Sequence, residues 1–337
     1  MTIRDLTNLS GHRNVFLAML LFGATFWFLS PMASPAQDVV YRCPSRTPIA
    51  IEVSPKGRRI AIRTGLAEIS FFSVSDWAIA RCGIRARYFT FVDTNTVAVI
   101  SVNDRIYMVD PSTSKSLFSF PMPGRAMGRP VSCGGYICIP TGPESANYTE
   151  PTTVLVMDVK GHVIRKVLTV ATSVSPATRV LYASPDNRWL VALGAGRAIV
   201  YRSGTWRKVA DIKDPRAGDG GREFLTLCTF SSNGKVMLVG NHNSQQTFET
   251  GSWKRKEVLP SRGHPIVSAM PRPGSDGFLF LLSDGSLRDY RSDQVVVEGT
   301  DPYGPAGRCN EGLLGPGGLF LTGWENGNVR RQFVKLR

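Results

Sequence analysis

Ser275-Asp276-Gly277-Phe278-Leu279-Phe280-Leu281-Leu282-Ser283-Asp284-Gly285-Ser286-Leu287-Arg288-Asp289-Tyr290 is the stretch from which the fold can be read. A turn of small and acidic residues opens into a short apolar run. A second polar turn follows, then a short alternating segment that closes on an aromatic. Runs this brief, bounded by Gly, Asp and Ser, read as strands joined by a tight hairpin and not as helix. The same order recurs on both sides. Upstream, Val236-Met237-Leu238-Val239 precedes Asn241-His242-Asn243 and Thr247-Phe248, and Leu190-Val191-Ala192-Leu193 precedes Gly194-Ala195-Gly196 and Ala198-Ile199-Val200-Tyr201. Tyr136-Ile137-Cys138-Ile139, Val97-Ala98-Val99-Ile100 and Arg59-Ile60-Ala61-Ile62-Arg63 open three earlier copies, and Leu319-Phe320-Leu321 opens one downstream.

Seven copies result. The turn before the first apolar strand falls near Lys56, Asp93, Gly134, Asp186, Asn233, Asp276 and Gly317, at spacings of 37 to 52 residues. A period near forty with four short strands per unit is the signature of β-propeller blades. The seventh copy ends after its third strand, while Asp38-Val39-Val40-Tyr41-Arg42 stands alone as a strand before the first copy. The predicted fold is therefore all-β. It is a single seven-bladed propeller of four-stranded antiparallel blades over residues 37–337, closed by the N-terminal strand, which protects free sheet edges. Trp77, Trp206 and Trp253 each follow a Ser- or Thr-containing turn at the start of an outer strand. We read them as packing between blades and not as ligand platforms.

Residues 1–36 read differently. Arg4, His12 and Arg13 precede an apolar run from Val15 to Leu29. Ser30-Pro31 then ends any helix, and Ser34-Pro35-Ala36 places small residues before a cut after Ala36. This is the pattern of a secretory signal peptide, and the run is shorter than the roughly 20 residues of a spanning helix. An uncleaved signal anchor over residues 15–29 is the alternative. In both cases the remainder is expected outside the cytoplasm, periplasmic or secreted.

The 337 residues are 42% apolar and 20% charged, an ordinary globular balance that excludes wholesale disorder. The formal net charge is +14. Arg4 and Arg13 against Asp5 give the leader +1, so the rest of the chain carries +13. Such a surface favours an acidic protein, an acidic envelope polymer or an anionic membrane surface. The export signal argues against nucleic acid. Basic residues gather in Arg207-Lys208 and Lys254-Arg255-Lys256, where they also serve to guard outer strand edges.

Six cysteines, Cys43, Cys82, Cys133, Cys138, Cys228 and Cys309, follow the leader, an even number that fits disulfides in an exported chain. The local candidate is Cys133–Cys138 around Gly134-Gly135. A four-residue loop would set the two opposite each other, whereas a two-residue loop would pair Cys133 with Tyr136. No CxxC spacing is present and the four histidines are scattered, so neither a metal nor a cofactor is expected.

The sixth copy, with Gly263-His264 at its opening, Ser275-Asp276-Gly277 and a closing Asp289-Tyr290, resembles a WD40-type repeat, with YVTN-type propellers as relatives. Ser54-Pro55-Lys56-Gly57 and Ser184-Pro185-Asp186-Asn187 resemble that family's Ser-Pro-Asp-Gly turn. The resemblance covers about residues 38–337. It implies a rigid platform that binds partners, usually proteins, and it implies for His264 a structural hydrogen-bond chain with Asp284 and Ser283.

Four long insertions, 141–152, 171–176, 213–222 and 301–308, fall at positions that share one end of a propeller. Long loops on a rigid scaffold carry binding. The candidate contacts there are Glu144, Tyr148, Glu150, Asp214, Arg216, Asp219, Arg222, Asp301, Tyr303 and Arg308. Asn147-Tyr148-Thr149 also fits the N-glycosylation pattern. No nucleophile elbow, His-Glu-x-x-His, P-loop or EF-hand sequence occurs. The expected function is a protein-binding scaffold acting through this loop-rich face. The alternative is a propeller hydrolase or oxidoreductase whose site lies at the central opening of the same face.

Overall fold

The computed structural model of the chain describes residues 38–43, 48–142, 152–160, 164–170, 181–194, 196–213, 225–241, 244–259, 266–299 and 308–334. The first described strand is β1 (Asp38–Arg42). Strands β2 to β5 (Pro48–Val53, Arg59–Thr64, Ile69–Ser73, Ile79–Cys82) make blade 1. Strands β6 to β9 (Ala86–Phe91, Val97–Ser101, Arg105–Val109, Ser116–Pro121) make blade 2. In blade 3 the short β10 (Arg125–Ala126) and β11 (Val131–Cys133) share one side of β12 (Tyr136–Gly142), followed by β13 (Thr152–Asp158) and β14 (Ile164–Val170). Blade 4 is β15 to β18 (Leu181–Ala183, Trp189–Gly194, Arg197–Arg202, Arg207–Lys213), and blade 5 is β19 to β22 (Leu227–Phe230, Val236–Gly240, Gln245–Glu249, Arg255–Leu259). Blade 6 is β23 to β26 (Ile266–Pro271, Phe278–Leu282, Leu287–Asp289, Val295–Val297). Blade 7 is β27 to β29 (Cys309–Leu314, Leu319–Trp324, Asn328–Phe333), with β1 antiparallel on β29 and Tyr41 opposite Val329. The architecture is a seven-bladed propeller of four-stranded antiparallel blades.

Blade stacking explains why the central strands are apolar at every position. Successive side chains of a strand point to opposite faces, so a strand between two neighbours needs an apolar residue on both. In β16, Leu190 and Ala192 pack with Val131, Cys138 and Val156 of blade 3, while Trp189, Val191 and Leu193 pack with Cys228, Phe230 and Val239 of blade 5. Each fully buried Leu, Ile, Val or Phe contributes roughly 1.5–3 kcal/mol relative to exposure. Similar clusters join blades 1 and 2, 2 and 3, 5 and 6, and 6 and 7. The ring is completed where Ile51, Ile60, Ile62 and Phe72 of blade 1 meet Leu319, Leu321 and Val329 of blade 7. The first strands lie nearest the axis, with β27 against both β2 and β23 and β11 against β6 and β15. Fourth strands such as β9 and β18 are largely exposed.

At one end of the ring lie the hairpin turns between first and second strands and between third and fourth. The former repeat a serine device. Ser54, Ser184 and Ser231 each accept, through the side-chain oxygen, the backbone N–H five residues on, at 3.0 Å. The latter repeat a left-handed residue: Trp77, Ser114, Trp206, Trp253 and Asp293 all have φ between 55° and 60°. Each donates its N–H to the carbonyl four residues back, at 2.7–3.0 Å. The tryptophans at this position pack on the preceding blade. Trp206 meets Tyr136 edge-on at 5.2 Å, Trp253 meets Trp189 at 5.2 Å, and Arg331 lies over Trp77 at 4.7 Å.

The same turn geometry corrects the expected Cys133–Cys138 bridge. Gly134 and Gly135 have φ of 61° and 85°, the two positive values that a two-residue hairpin turn of type I′ demands and glycine supplies without strain. The tight turn sets Cys133 opposite Tyr136 and Cys138 opposite Val131, so the two cysteines are diagonal neighbours. None of the six cysteines is in a disulfide, and all are buried. Burial pushes the Cys133 thiol up to about 11, and Cys133 donates weakly to the Trp189 carbonyl at 3.7 Å. These thiols fill the core as small apolar groups.

Candidate functional site

The opposite end of the ring holds the starts of the first strands and the turns between second and third strands. It also holds the strand ends flanking 143–151, 171–180, 214–224 and 300–307. Polar side chains converge there on the axis. Arg129, on the stretch leading into β11, reaches across the central opening to Glu311 on β27, with both guanidinium nitrogens 3.1 Å from the two carboxylate oxygens. This bidentate pair links blade 3 to blade 7, and the two side chains are 17% and 23% exposed. Burial works against the Arg129 charge. The Glu311 carboxylate outweighs it, with help from Glu52 and Tyr182, and holds the guanidinium above its ordinary value.

Neighbouring first strands are tied in the same ring. Toward the turn end of these strands, Glu52 of β2 accepts the Phe91 N–H of β6 at 3.3 Å, and Ser132 of β11 donates to the Val92 carbonyl at 3.3 Å. Tyr182 of β15 donates to the Thr226 carbonyl at 3.4 Å. Arg87 pairs with Asp104 at 2.7 Å. Tyr88 lies in the middle of this cluster. Burial pushes its hydroxyl up, against the pull of Arg87, Arg63, Arg125 and Arg129. Four arginines from blades 1 to 3 thus bear on one tyrosine at the mouth of the channel. Below the mouth, toward blades 4 to 7, lies a cavity of about 560 Å³ walled by Arg129, Tyr182, Phe230, Val267, Ser268 and Glu311 among others.

A chain of the solved mitotic checkpoint complex is similar in fold, with a TM-score of 0.68 at 11% sequence identity, over 90% of this chain and 96% of that one. The chain has a WD40-like β-propeller fold. No protein-family model matches the sequence, and no curated protein sequence does.

In this WD40-like propeller most of the candidate contacts named from sequence, Glu144, Tyr148, Glu150, Asp214, Arg216, Asp219, Arg222, Asp301 and Tyr303, lie outside the described residues, as does His264. Arg308 is exposed at the entry to β27, and its N–H donates to Glu325 at 3.0 Å. Ser283 and Asp284 form the turn between β24 and β25. The Asp284 carboxylate accepts the Ser286 N–H at 2.8 Å, and the Ser283 carbonyl accepts the Cys309 N–H at 2.8 Å. These three residues therefore rim blades 6 and 7 at the channel end without entering the arginine cluster. The basic outer residues Arg207, Lys208, Arg255 and Lys256 lie on the exposed fourth strands β18 and β22.

Sequence reasoning missed Arg63, Tyr88, Arg129, Tyr182 and Glu311. A usable signal was present. Tyr88, Tyr182 and Glu311 each fall early in a first strand, where a residue facing the axis escapes the demand for an apolar side chain.

Proposed function

We propose that this chain is an exported scaffold that binds a protein partner through the channel end of the ring. The observation that carries the reading is the gathering of Arg63, Arg87, Arg125 and Arg129 about Tyr88 at that end. Desolvated arginine and tyrosine are favoured anchors of protein interfaces, and a positive rim steers an acidic partner. The long connections flanking the same strand ends extend the contact surface. Residues 1–36 serve as the export signal, and β1 serves as the closing strand that ties the start of the mature chain to blade 7. The basic outer edges of blades 4 and 5 are a second electropositive surface, suited to an acidic envelope polymer or an anionic membrane surface.

The test is co-purification of the full chain from its own host, followed by cross-linking and native mass spectrometry. A mature chain beginning at Gln37 and carrying a stoichiometric protein is the expected result. Replacing residues 213–222 with a short Gly/Ser turn is expected to release that partner while leaving the thermal midpoint within about 1–2 °C. Undiminished partner binding by this variant and by Arg125→Glu would overturn the assignment of the surface.

A further inference from the structure

At the turn end, the seam between blades 1 and 2 departs from its equivalents beside blades 4 and 5. The N–H captured by the turn serine belongs to Trp189 in blade 4 and to Val236 in blade 5, and both side chains pack on the following blade. In blade 1 the same place holds Arg59. Side chains alternate along a strand, so Arg59 shares the face that Ala61 turns toward Phe89, Phe91 and Val97 of blade 2. The other half of the packing differs too. The left-handed turn residue of the following blade is Trp206 against Tyr136 and Trp253 against Trp189, whereas blade 2 has Ser114 in that place. Two other seams are filled by an aromatic pair. Here both members are polar, and a cavity of about 490 Å³ lies open.

Arg58, Arg59, Ser73 and Ser75 of blade 1 and Thr94 and Asn95 of blade 2 line this cavity. Ser73 stands opposite Arg59 in the pairing of β3 with β4, and its hydroxyl is 2.9 Å from that of Ser75. Among the described residues neither a carboxylate nor an aromatic ring lines the wall, and neither arginine forms an ion pair. One acid, Asp76, bears on Arg59 from the neighbouring turn. It is exposed, and its carboxylate accepts the Ala78 N–H at 3.0 Å. The planar guanidinium fork matches the oxygens of a tetrahedral oxyanion, and hydroxyl and amide groups match a polyol. The volume is within the range of small-molecule sites and exceeds what a bare oxyanion needs. We propose that this seam binds a sugar phosphate or sugar sulfate, its oxyanion on Arg58 and Arg59 and its hydroxyls on Ser75, Thr94 and Asn95. In this arrangement Asp76 opposes the ligand by like charge. The site lies at the other end of the ring from the proposed partner surface and stands independently of it.

The test is calorimetric titration of the full-length chain, at fixed ionic strength, with glucose 6-phosphate, glucose 6-sulfate, glucose and inorganic phosphate. The expected result is saturable one-site binding of an ester, with glucose and inorganic phosphate each at least about tenfold weaker. The tighter of the two esters identifies the oxyanion. Arg59→Gln should weaken that ester about tenfold, Asp76→Asn should strengthen it, and Lys115→Gln should leave it unchanged. Lys115 is exposed at the same end of blade 2 but outside the cavity wall, so it reads the effect of net charge alone. The opposed signs at Arg59 and Asp76 separate a binding role from general damage to the fold. Glucose or inorganic phosphate binding as tightly as the esters, or no saturable binding by the unmodified protein, would overturn the proposal without any variant. So would an Arg59→Gln protein that binds the ester as tightly as the parent.

Discussion

The two ends of the ring use polar side chains in different ways. At the turn end most of them serve their own stretch of chain, although Ser232 and Asn233 of blade 5 reach the Ser275 carbonyl and the Asp276 carboxylate of blade 6. Ser184 captures an N–H five residues away, Asp186 accepts from Arg188, and Asp289 accepts from Arg291 and Ser292. At the channel end the partners are distant. Arg129 and Glu311 are 182 residues apart, and Tyr182 and Thr226 are 44. Local capture ends strands and sets blade register. Capture across the axis fixes blades against one another. Under the proposed function the turn end is scaffold and the channel end is the binding surface. Of stability and partner binding, variants at the turn end should then change stability alone, and variants at the channel end should change both.

The largest effect belongs to Trp206. It is buried, at φ 55°, between its own hairpin and Tyr136 of blade 3. Trp206→Ala removes an aromatic that fills an interface between two blades. It is expected to cost about 3–5 kcal/mol, read by urea denaturation. Trp77 occupies the equivalent turn but is only half-buried, so Trp77→Ala should cost clearly less. Equal losses for the two would break the idea that interface packing, and not the turn itself, sets the penalty.

The contrast between the ends also explains what could be read in advance. Blade number, strand order and the packing role of the tryptophans were legible because each rests on a signal within one copy: an apolar run, a Ser-x-Asp turn, a Trp after a turn. Cys133 and Cys138 show the limit of that reading. Gly134-Gly135 announced a turn, and the choice between two and four loop residues decided whether the thiols faced each other. The channel mouth had no linear signature. Arg129 and Glu311 come from two blades and meet across the axis because the ring brings its first strands and their approaches together. The loop-rich end was found from insertion lengths, yet the arginines there come from strands and their immediate approaches, where no insertion marks them.

The next effect is at the channel end. Glu311→Gln leaves the Arg129 guanidinium without its carboxylate in a partly desolvated site. A fully buried pair broken this way costs about 3–5 kcal/mol, and the remaining exposure of both side chains brings the expectation to about 2–3 kcal/mol. Adding Arg129→Met should restore most of it, because the stranded charge is the cause and the lost pair is not. Failure of the second substitution to rescue would mean that Glu311 is held for packing.

The smallest expected effect is the acid sensitivity of the turn end. Burial raises the pKa of Asp289, but the N–H groups of Ser292 and Arg291, the Ser292 hydroxyl and Arg272 outweigh it, and its carboxyl titrates below the usual carboxylate range. Asp110, held down first by the Ser112 hydroxyl, shifts in the same direction. A group whose pKa is lower in the folded protein contributes stability that is fully present above its unfolded value. That contribution is lost as the pH falls through the folded value. The thermal midpoint should therefore hold from pH 7 to about pH 5 and fall below about pH 4. Asp289→Asn gives up the charged partner of Arg272, 2.7 Å away, and should cost about 1–2 kcal/mol at pH 7. Its deficit should shrink as the medium is acidified, since protonation removes the same charge from the parent. Melting curves of both proteins across this range decide the matter. A deficit that stays constant with pH would mean that Asp289 acts through its shape and neutral hydrogen bonds, and the local electrostatic account of the turn end would fail at its most buried carboxylate.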